Sequence, residues 1–353
     1  MRVRNEALTL AQSIDSCIDA LDELIITYHE CTDESVQIIE NKKLQYPDKI
    51  MVIPYPYHVI GVGASDEEYE YGKTLPIGHP QLLATYYNNA LQYVNYKYVM
   101  KMDADQVYFS KELKALRDSI VNGVKQNKLA RLCGKMVNVF CQKRGNKRIW
   151  SKWHLVHWLQ YIVVPLFQKQ YKEYCISGLL KGNGYLSLSG VNVFRFNNSW
   201  YSPLGSMGGP YMGLGDHLVF EADEETEWVP WEYTTDSGGK ALIERFDFPT
   251  EKVVFLFGFY WFHLKPMKKA SYERCLSYFR EHPDSMFPIN QLGKASFDFL
   301  LKNVETYKTY VLRRDYYNFV HNLDRKKIKV HSKMLQELNG WAKKEIDSRI
   351  INV

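Results

Sequence analysis

The stretch "YKYVMKMDADQVYF", Tyr96–Phe109, ends an apolar run with two carboxylates, Asp103 and Asp105, one residue apart. The apolar residues before them, at positions 98–100 and 102, are typical of a central strand in an α/β sheet. Residues that follow such a strand lie at the sheet edge where open α/β folds bind their ligands. Since Asp is also common in turns, this Asp-x-Asp segment predicts either a strand-ending turn or the mouth of a metal and phosphate site.

The chain on the N-terminal side of this stretch predicts strands that alternate with helices. Its elements are, in order, a strand at Met1–Arg4, a helix with apolar residues from Leu8 to Leu21, the strand "ELIITYHE", the helix "ESVQIIENKKLQYP", the strand "KIMVIPYPY", the polar loop "SDEEYEYGKTLPIGHP" and the helix "QLLATYYNNALQYV". This succession favours an α/β fold with a mostly parallel sheet and helices on both faces. A strand that begins at residue 1 also leads us to expect further residues upstream.

The chain after Asp105 predicts a less regular second half. "SKELKALRDSIVNGVKQ" predicts a helix, whereas the aromatic region Leu132–Phe196 favours strands, with "RGNKR" as a hairpin tip. The glycine-rich stretch "YSPLGSMGGPYMGLGDH", Tyr201–His217, predicts a long loop that enters a short helix. An apolar strand ends at His263, and the chain from Ala270 onward predicts mainly helices.

Composition excludes several classes of protein. A chain of 353 residues with 46% hydrophobic and 24% charged residues is typical of a globular protein. Its six cysteines include no C-x-x-C pair, so we expect free thiols in a reducing cytosol rather than a disulfide framework or a zinc knuckle. The charged start does not resemble a signal peptide, and the longest apolar run, Trp153–Phe167, is too short to span a bilayer.

The distribution of charge along the chain is more informative about possible partners than the net charge of +5. The segment Arg313–Arg349 contains ten Lys or Arg residues against five Asp or Glu. It predicts either a solvated helical face or contact with an anionic membrane surface. The acidic residues among the basic ones, and the lack of a known motif, argue against binding to nucleic acid.

Five motifs follow one another in the first third of the chain: "RVRNEALTL", "CTDES", "YPDKIMVIPYPY", "YYNNAL" and "MKMDADQVY". Over roughly residues 1–120 they resemble bacterial GT-A (GT2-like) glycosyltransferases, in particular the β-1,4-N-acetylgalactosaminyltransferase family that acts on lipooligosaccharide. The resemblance implies a GT-A, Rossmann-like catalytic domain over residues 1–268, with a nucleotide-sugar half at about 1–120 and an acceptor half at about 121–268. A mainly helical C-terminal region would follow over residues 269–353.

The resemblance also implies a metal site. A nucleotide-sugar donor releases a diphosphate, whose charge a divalent cation held by carboxylate oxygens can stabilise. We therefore expect Mn²⁺ or Mg²⁺ with Asp105 as the principal ligand, while Asp103 contacts the ribose or a metal-bound water. His263 is implied as a third protein ligand, and the alternative is a core histidine that hydrogen-bonds to backbone.

For the nucleotide, the resemblance implies that Arg4, Asn5, Glu6 and Lys101 lie near the uridine and ribose. Asp33 is implied as the acceptor for the uracil N3–H. The same residue types also allow a structural interpretation. In that alternative Asn5 caps a helix, Glu6 lies in its first turn and Asp33 caps the next helix.

The resemblance also implies inversion at the anomeric carbon, which needs a base that takes the proton of the acceptor hydroxyl. The stretch "GPYMGLGDHLVFE" predicts Asp216 in the first turn of a short helix, whose N-terminus would keep the carboxylate ionised. Asp216 is therefore the candidate base, with Glu221 and Asp223 in reserve, and an N-cap without chemistry is the alternative.

Three further residues are candidates for contacts with the sugars or the leaving group. Gly190 would let the backbone approach the donor sugar, Trp231 offers a flat ring for the acceptor, and Lys265 is placed to meet the departing phosphate. A strand bulge at Gly190 and core packing of Trp231 are the alternatives.

These features predict an inverting, metal-dependent glycosyltransferase that moves a hexosyl or N-acetylhexosaminyl group from a UDP-sugar to a glycan or lipid-linked glycan. The expected setting is the synthesis of bacterial capsule, surface polysaccharide or lipooligosaccharide, in the cytoplasm or peripheral at the inner face of the cytoplasmic membrane. The alternatives are the same fold with another donor, such as UDP-galactofuranose, and a non-catalytic carbohydrate-binding protein. A nucleotidyltransferase is disfavoured because no glycine-rich phosphate loop follows the first strand.

Overall fold

A computed structural model describes residues 1–142, 153–204, 209–223, 226–234, 239–247, 251–304 and 311–350. Contacts between residues divide the chain into two compact units. Unit 1 comprises Met1–Asp105 and Leu218–Val253, and unit 2 comprises Gln106–His217 and Val254–Val353. The predicted functional boundary at residue 268 is a different kind of division, and it stays a prediction.

Strands and helices alternate through the first hundred residues, and helices predominate at the C-terminal end. In chain order the described elements are β1 (Arg2–Val3), α1 (Leu10–Cys17), β2 (Leu24–Tyr28), α2 (Ser35–Gln45), β3 (Ile50–Pro54), α3 (Asp66–Thr74), α4 (Leu83–Leu91), β4 (Tyr98–Met100), β5 (Gln106–Tyr108), α5 (Ser110–Asn122), α6 (Lys128–Gln142), α7 (Trp153–Leu166), α8 (Gln168–Leu180), β6 (Gly184–Asn192), β7 (Phe194–Phe196), β8 (Ser199–Pro203), β9 (Tyr211–Glu221), β10 (Trp228–Thr234), β11 (Lys240–Phe246), β12 (Val253–His263), α9 (Lys269–Glu281), β13 (Met286–Pro288), α10 (Ile289–Leu292), α11 (Phe297–Asn303), α12 (Val311–Glu337) and α13 (Asn339–Ile350).

The first three strands of unit 1 form a parallel sheet in the order β1-β2-β3. Arg2 of β1 pairs with Thr27 of β2, and Leu24 pairs with Ile50 of β3. Helix α1 buries apolar residues at helical spacing, among them the fully buried Leu10. The predicted βαβαβ succession with a parallel sheet is confirmed for this part of the chain.

The strand before the two carboxylates differs from the prediction of a buried central strand. β4 has only three residues, all half-buried, and it pairs antiparallel with the end of β9, where Val99 lies opposite Phe220. Further along the chain, Asp103 forms a parallel bridge with Arg2 of β1. The Asp-x-Asp segment is therefore a loop beside β1 rather than the tip of a long strand.

Two helices of unit 1 start at places other than those predicted. The stretch predicted to be a polar loop contains α3, which begins with a capping box formed by Ser65 and Glu68. Helix α1 begins only at Leu10, so Asn5 is not its cap and Glu6 is not in its first turn. Asn5 instead has a φ of 54° in the loop after β1.

Unit 2 combines antiparallel strands with long helices. β5 pairs antiparallel with β12, with Tyr108 opposite Trp261, and the sheet continues in the order β5-β12-β6-β9. β7, β8 and β13 form a second, antiparallel sheet. The predicted helix α5, the strand that ends at His263 and the mainly helical C-terminal region are confirmed.

The region Leu132–Phe196, predicted to form strands, is mainly helical. Helices α6, α7 and α8 occupy most of its described part, and strands begin only at Gly184. The apolar residues of α6 recur every three or four positions, and this period outweighs the strand propensity of its valines and phenylalanine. The predicted hairpin tip "RGNKR" lies outside the described residues.

The glycine-rich stretch Tyr201–His217 forms strands rather than a loop and a helix where it is described, and Asp216 lies within β9. Gly213 in this strand has a φ of 96°, and a Cβ added there would lie 2.9 Å from the carbonyl oxygen of Leu188 in β6. Glycine at this position therefore serves the close approach of two strands. The glycine that predicted a loop is therefore explained by the packing of β9 against β6.

Helix α12 packs into unit 2 through a cluster of buried charges. The carboxylate of Asp324 is fully buried and accepts a hydrogen bond from Lys172 Nζ at 2.7 Å. Lys327 lies 3.4 Å from the same carboxylate and 2.7 Å from Glu112 on α5. Gly258 permits this arrangement, because its φ is 116° and an added Cβ would overlap the Asp324 carboxylate.

The structure also bears on the predicted thiols and membrane segment. Free thiols occur at Cys17, Cys31, Cys133, Cys175 and Cys275. Within the described part of the chain, no helix has the length and hydropathy needed to cross a bilayer.

Candidate functional site

The carboxyl ends of β1 and β2 lie at one edge of the parallel sheet, and polar side chains follow both strands. Arg4, Asn5 and Glu6 follow β1, and residues 29–33, with the sequence HECTD, follow β2. Asn5 Oδ1 accepts a hydrogen bond from the N–H of Thr32 at 2.7 Å, which joins the two loops. Most of the predicted nucleotide-binding residues are thus brought together at this edge.

Asp33 connects the loop after β1 to the start of α2. Its Oδ2 accepts from the N–H of Ala7 and its Oδ1 from that of Ser35, each at 3.0 Å. Burial would raise the pKa of the Asp33 carboxyl, but hydrogen bonds from Ser35 and Ala7 outweigh burial and lower the pKa. These bonds give Asp33 a structural role at the start of α2, and its contact with uracil stays a prediction.

Helix α1 holds the main chain of the Asp-x-Asp segment. Thr9 Oγ1 donates to the carbonyl of Ala104 at 3.0 Å, and Ser13 Oγ donates to the carbonyl of Asp103 at 3.2 Å. Thr9 and Ser13 are fully buried, and neither was predicted from the sequence as a site residue. The available signal is a pair of hydroxyl residues on the apolar face of α1, since a buried hydroxyl needs a hydrogen-bond partner.

The two carboxylates of this segment differ in exposure. Asp103 is half-buried, whereas Asp105 is only 7% exposed. Carboxylate oxygens are the hard ligands that Mg²⁺ and Mn²⁺ prefer, so the donor set fits a divalent cation. Asp103 is the more accessible of the two, although Asp105 is predicted as the principal ligand, and that assignment stays a prediction.

A second polar cluster at this edge has no counterpart in the sequence analysis. His58 lies between two carboxylates, with Nδ1 2.8 Å from Glu30 and Nε2 2.9 Å from Glu68. Arg4 lies 3.5 Å from the same Glu30 carboxylate. The hydrogen bond to Glu30 raises the pKa of His58 and favours an imidazolium that bridges the loop after β2 and the start of α3.

Lys101, predicted to bind the nucleotide, is enclosed in unit 1. Its Nζ lies 2.8 Å from Glu244 Oε1, and both side chains are less than a tenth exposed. The ammonium lies 4.9 Å from the ring centre of Tyr87 and 5.1 Å from that of Trp228. Lys101 therefore forms a buried ion pair among aromatic rings, and its contact with a nucleotide stays a prediction.

Trp231 and Trp228 on strand β10 have different surroundings. Trp228 is buried, which fits the alternative of core packing, but Trp231 is 45% exposed. The guanidinium carbon of Arg245 lies 3.8 Å above the Trp231 ring. The exposed ring suits stacking on a sugar, and this contact stays a prediction.

Asp216, the candidate base, lies on β9 in unit 2. Its side chain is 47% exposed, and its Oδ2 lies 3.5 Å from Nδ1 of the buried His217. His217 Nε2 lies 2.6 Å from Gln106 Nε2. Because β9 is a strand, the expectation that a helix N-terminus keeps Asp216 ionised is wrong. What the structure provides is an exposed carboxylate beside a buried imidazole.

The two reserve bases lie in unit 1, and each is paired with a lysine. Glu221 lies 3.0 Å from Lys97, and Asp223 lies 3.3 Å from Lys252. Lys97 and Lys252 therefore already engage these two carboxylates, and the choice of Asp216 over them stays a prediction.

Three other predicted site residues, His263, Gly190 and Lys265, lie in unit 2. His263 Nδ1 lies 2.7 Å from Asn192 Oδ1. Gly190 lies against Trp261, because an added Cβ would overlap the indole ring, so packing within the sheet accounts for this glycine. Lys265 is exposed in the turn after β12. Their contacts with a metal, a sugar and a phosphate stay predictions.

The alternation of strands and helices up to α5, with the Asp-x-Asp segment beside β1, can be compared with known families. Residues 1–122 match the model of the family described as Beta-1,4-N-acetylgalactosaminyltransferase (CgtA). This is a family of glycosyltransferases. The match confirms the predicted resemblance and, with it, the prediction of a glycosyltransferase. A search of curated proteins gave no match.

The CgtA match covers the parallel sheet and ends with α5. It contains every predicted nucleotide-binding residue and both carboxylates of the Asp-x-Asp segment. It contains neither the candidate base nor the predicted contacts with the sugars. The similarity to CgtA therefore concerns the part of the chain that contains the predicted nucleotide-binding residues.

Proposed function

We propose that this protein is an inverting, metal-dependent glycosyltransferase of the GT-A type. It would transfer a sugar from a UDP-sugar to a glycan or lipid-linked glycan in the synthesis of bacterial surface polysaccharide or lipooligosaccharide. One observation carries the proposal: the segment that matches the CgtA family contains two carboxylates beside β1, at the carboxyl edge of a parallel sheet. Open α/β folds bind their nucleotide ligands at such an edge.

In this proposal, unit 1 supplies the donor site. Asp105, with Asp103 in the same segment, would hold Mn²⁺ or Mg²⁺, and the bound cation would offset the negative charge of the departing diphosphate. Thr9 and Ser13 fix the main chain between the carboxylates. The loops that follow β1 and β2 flank the nucleotide, and the first of these loops contains the exposed cation Arg4.

Asp216 is the proposed base. Its exposed carboxylate takes the proton from the acceptor hydroxyl while the hydroxyl oxygen attacks the anomeric carbon, opposite the departing UDP. Attack from that face inverts the configuration. Asp216→Asn should lower turnover about a hundredfold or more and leave stabilisation by the donor nucleotide unchanged. Unchanged turnover would remove Asp216 from the mechanism.

Thermal unfolding with UDP, GDP, CDP or dTDP, each with Mn²⁺ or with EDTA, tests the donor site. UDP with Mn²⁺ at about a hundred times its dissociation constant should stabilise the protein by roughly 2.7 kcal/mol. The stabilisation should disappear in EDTA and in Asp103→Asn and Asp105→Asn. Glu40→Gln, at an exposed carboxylate on α2, is the matched control and should respond like the wild type.

Other outcomes have equally definite meanings. If no nucleotide stabilises the protein, the Asp-x-Asp segment is a structural turn, and the alternative of a carbohydrate-binding protein is favoured. Stabilisation that persists in EDTA would exclude the metal from the proposal. A response to another nucleotide with Mn²⁺ would keep the mechanism and change the donor.

A further inference from the structure

Helix α6 in unit 2 presents an apolar stripe to solvent. The stripe consists of Leu129, Leu132, Met136 and Val139, which recur at intervals of three and four residues and are between 39% and 70% exposed. This spacing places all four side chains on one face of the helix. Four large apolar side chains on one exposed face are characteristic of an interaction surface.

The inner face of α6 is tightly packed against α8. Val137 is fully buried. A Cβ added at Gly134 would lie 2.5 Å from Tyr174 Cβ and 2.6 Å from the carbonyl oxygen of Gln170, so the two helices approach closely at this glycine. The apolar stripe is therefore the outer face of a firmly held helix.

The chain segment that contains the stripe carries only positive charges. Between Asp118 and Glu173 the sequence contains eleven Lys or Arg residues and no Asp or Glu, although the whole chain has 45 basic and 40 acidic residues. On α6, Lys128, Arg131 and Lys135 are exposed and follow the helix surface beside the stripe. Among the described residues, none of these three cations forms an ion pair. Their charge is therefore available to an anionic partner.

The basic C-terminal region, which the sequence analysis associates with a membrane surface, uses several of its cations internally. Lys327 pairs with Glu112 and Asp324. Arg325 lies 4.4 Å from the ring centre of Tyr161. Helix α12 also exposes Lys326, Lys329 and Lys333, but the exposed cations of α6 lie beside an apolar stripe.

We propose that the outer face of α6 binds an anionic lipid surface. The apolar stripe would enter the boundary between headgroups and acyl chains, and the three cations beside it would contact lipid phosphates. Helix α7 of the same unit adds exposed apolar side chains at Tyr161, Ile162 and Leu166. This inference goes beyond the proposed glycosyl transfer and does not depend on the donor or the metal.

Co-sedimentation of the full chain with vesicles tests the inference. The protein should bind vesicles of phosphatidylcholine with added phosphatidylglycerol and should not bind vesicles of phosphatidylcholine alone. Binding should be weaker in high salt. Equal binding to both kinds of vesicle, or no binding to either, would overturn the proposal.

Charge variants locate the surface. The triple variant Lys128→Gln, Arg131→Gln, Lys135→Gln should weaken binding about a hundredfold, because each cation near an anionic surface contributes roughly fivefold. The matched control removes three exposed lysines of α12 through Lys326→Gln, Lys329→Gln and Lys333→Gln. The control should lose less than about fivefold. An equal or larger loss in the control would place the surface on α12 and overturn the proposal.

The apolar stripe is tested separately from its charges. Leu132→Ser with Met136→Ser should weaken vesicle binding about tenfold or more, because each loses apolar burial in the interface. Leu44→Ser, at an 80% exposed leucine on α2, should leave binding unchanged. Circular dichroism confirms that each variant folds. If the stripe variant instead dissociates a dimer and the wild type ignores vesicles, a second copy occupies the stripe and the lipid proposal fails.

Discussion

Unit 2 buries a cluster of charged groups around Asp324, whereas charged groups at the sheet edge of unit 1 are partly exposed. Unit 1 also buries the ion pair of Lys101 and Glu244. Asp324 is fully buried and contacts Lys172 and Lys327. At the sheet edge, Asp103 is half-buried and Glu30 is 40% exposed. A buried charge needs a partner to offset the cost of desolvation. A charge at an exposed edge keeps its solvation, and a ligand can replace the water. Clustering alone therefore does not mark a binding site, whereas clustering with solvent access does.

The largest effect on stability should come from breaking the buried cluster. Asp324→Ala leaves the ammonium groups of Lys172 and Lys327 without this buried carboxylate, and we expect it to lower the free energy of unfolding by about 3–5 kcal/mol. Urea and thermal unfolding measure the loss. Asp15→Ala removes an exposed partner of Lys42 in unit 1 and should cost no more than about 1 kcal/mol. Similar losses in the two variants would contradict the contrast between the units.

A smaller effect should come from the contact between α1 and the Asp-x-Asp segment. Thr9→Val keeps the side-chain shape but leaves the carbonyl of Ala104 without its donor, and should cost about 1–3 kcal/mol. The variant should also show less stabilisation by UDP with Mn²⁺ in the thermal assay, because the carboxylates are held less firmly. Ser16→Ala, at a half-buried position of the same helix, is the control. A nucleotide response equal to that of the wild type would contradict the role given to Thr9.

The smallest effect, and one that depends on pH, should come from His58. Because the pKa of His58 is raised, its bridge stabilises the fold fully at any pH below the ordinary histidine pKa. This stabilisation is lost as the pH rises through the raised pKa. The lowered pKa values of Glu30 and Glu68 mean that their contribution is present above the ordinary carboxyl pKa and is lost as the pH falls through those values. The bridge is therefore strongest in mildly acidic solution.

Arg4 and His29 also lie near the Glu30 carboxylate of this bridge. Arg4 lies 3.5 Å from Glu30. Burial lowers the pKa of His29 to about 4, so His29 is neutral in the same range. His58→Gln should thus lower the melting temperature more at about pH 5.5 than at about pH 8.5. An equal loss for His58→Gln at both pH values would contradict the bridge.

The sequence predicts the regular part of the fold well. The strands and helices up to α2, helix α5 and the strand that ends at His263 follow from strong periodicity or from clear breaks. The prediction fails where signals compete. Helix α6 contains two valines and a phenylalanine, which favour strands, and β9 contains glycines that favour a loop. In β9, Gly213 is explained by its close approach to β6 and to Trp261, which local patterns cannot reveal.

The candidate site is predictable only where its residues are close to strand ends. The loops after β1 and β2 follow from the rule that ligands meet the carboxyl ends of parallel strands. The contacts of Thr9 with Ala104 and of Lys101 with Glu244 join residues far apart in the chain. No spacing in the sequence indicates them.

The sequence by itself determined the order of the parallel strands, the position of two carboxylates after an apolar run, the resemblance to CgtA and the lack of acidic residues between Asp118 and Glu173. The tertiary structure decided which charges are buried in pairs, which hydroxyls hold the Asp-x-Asp segment, and which face of α6 meets solvent. The physical reason is that periodicity and residue type act locally along the chain. Solvent access and pairing depend on residues that folding brings together from distant positions.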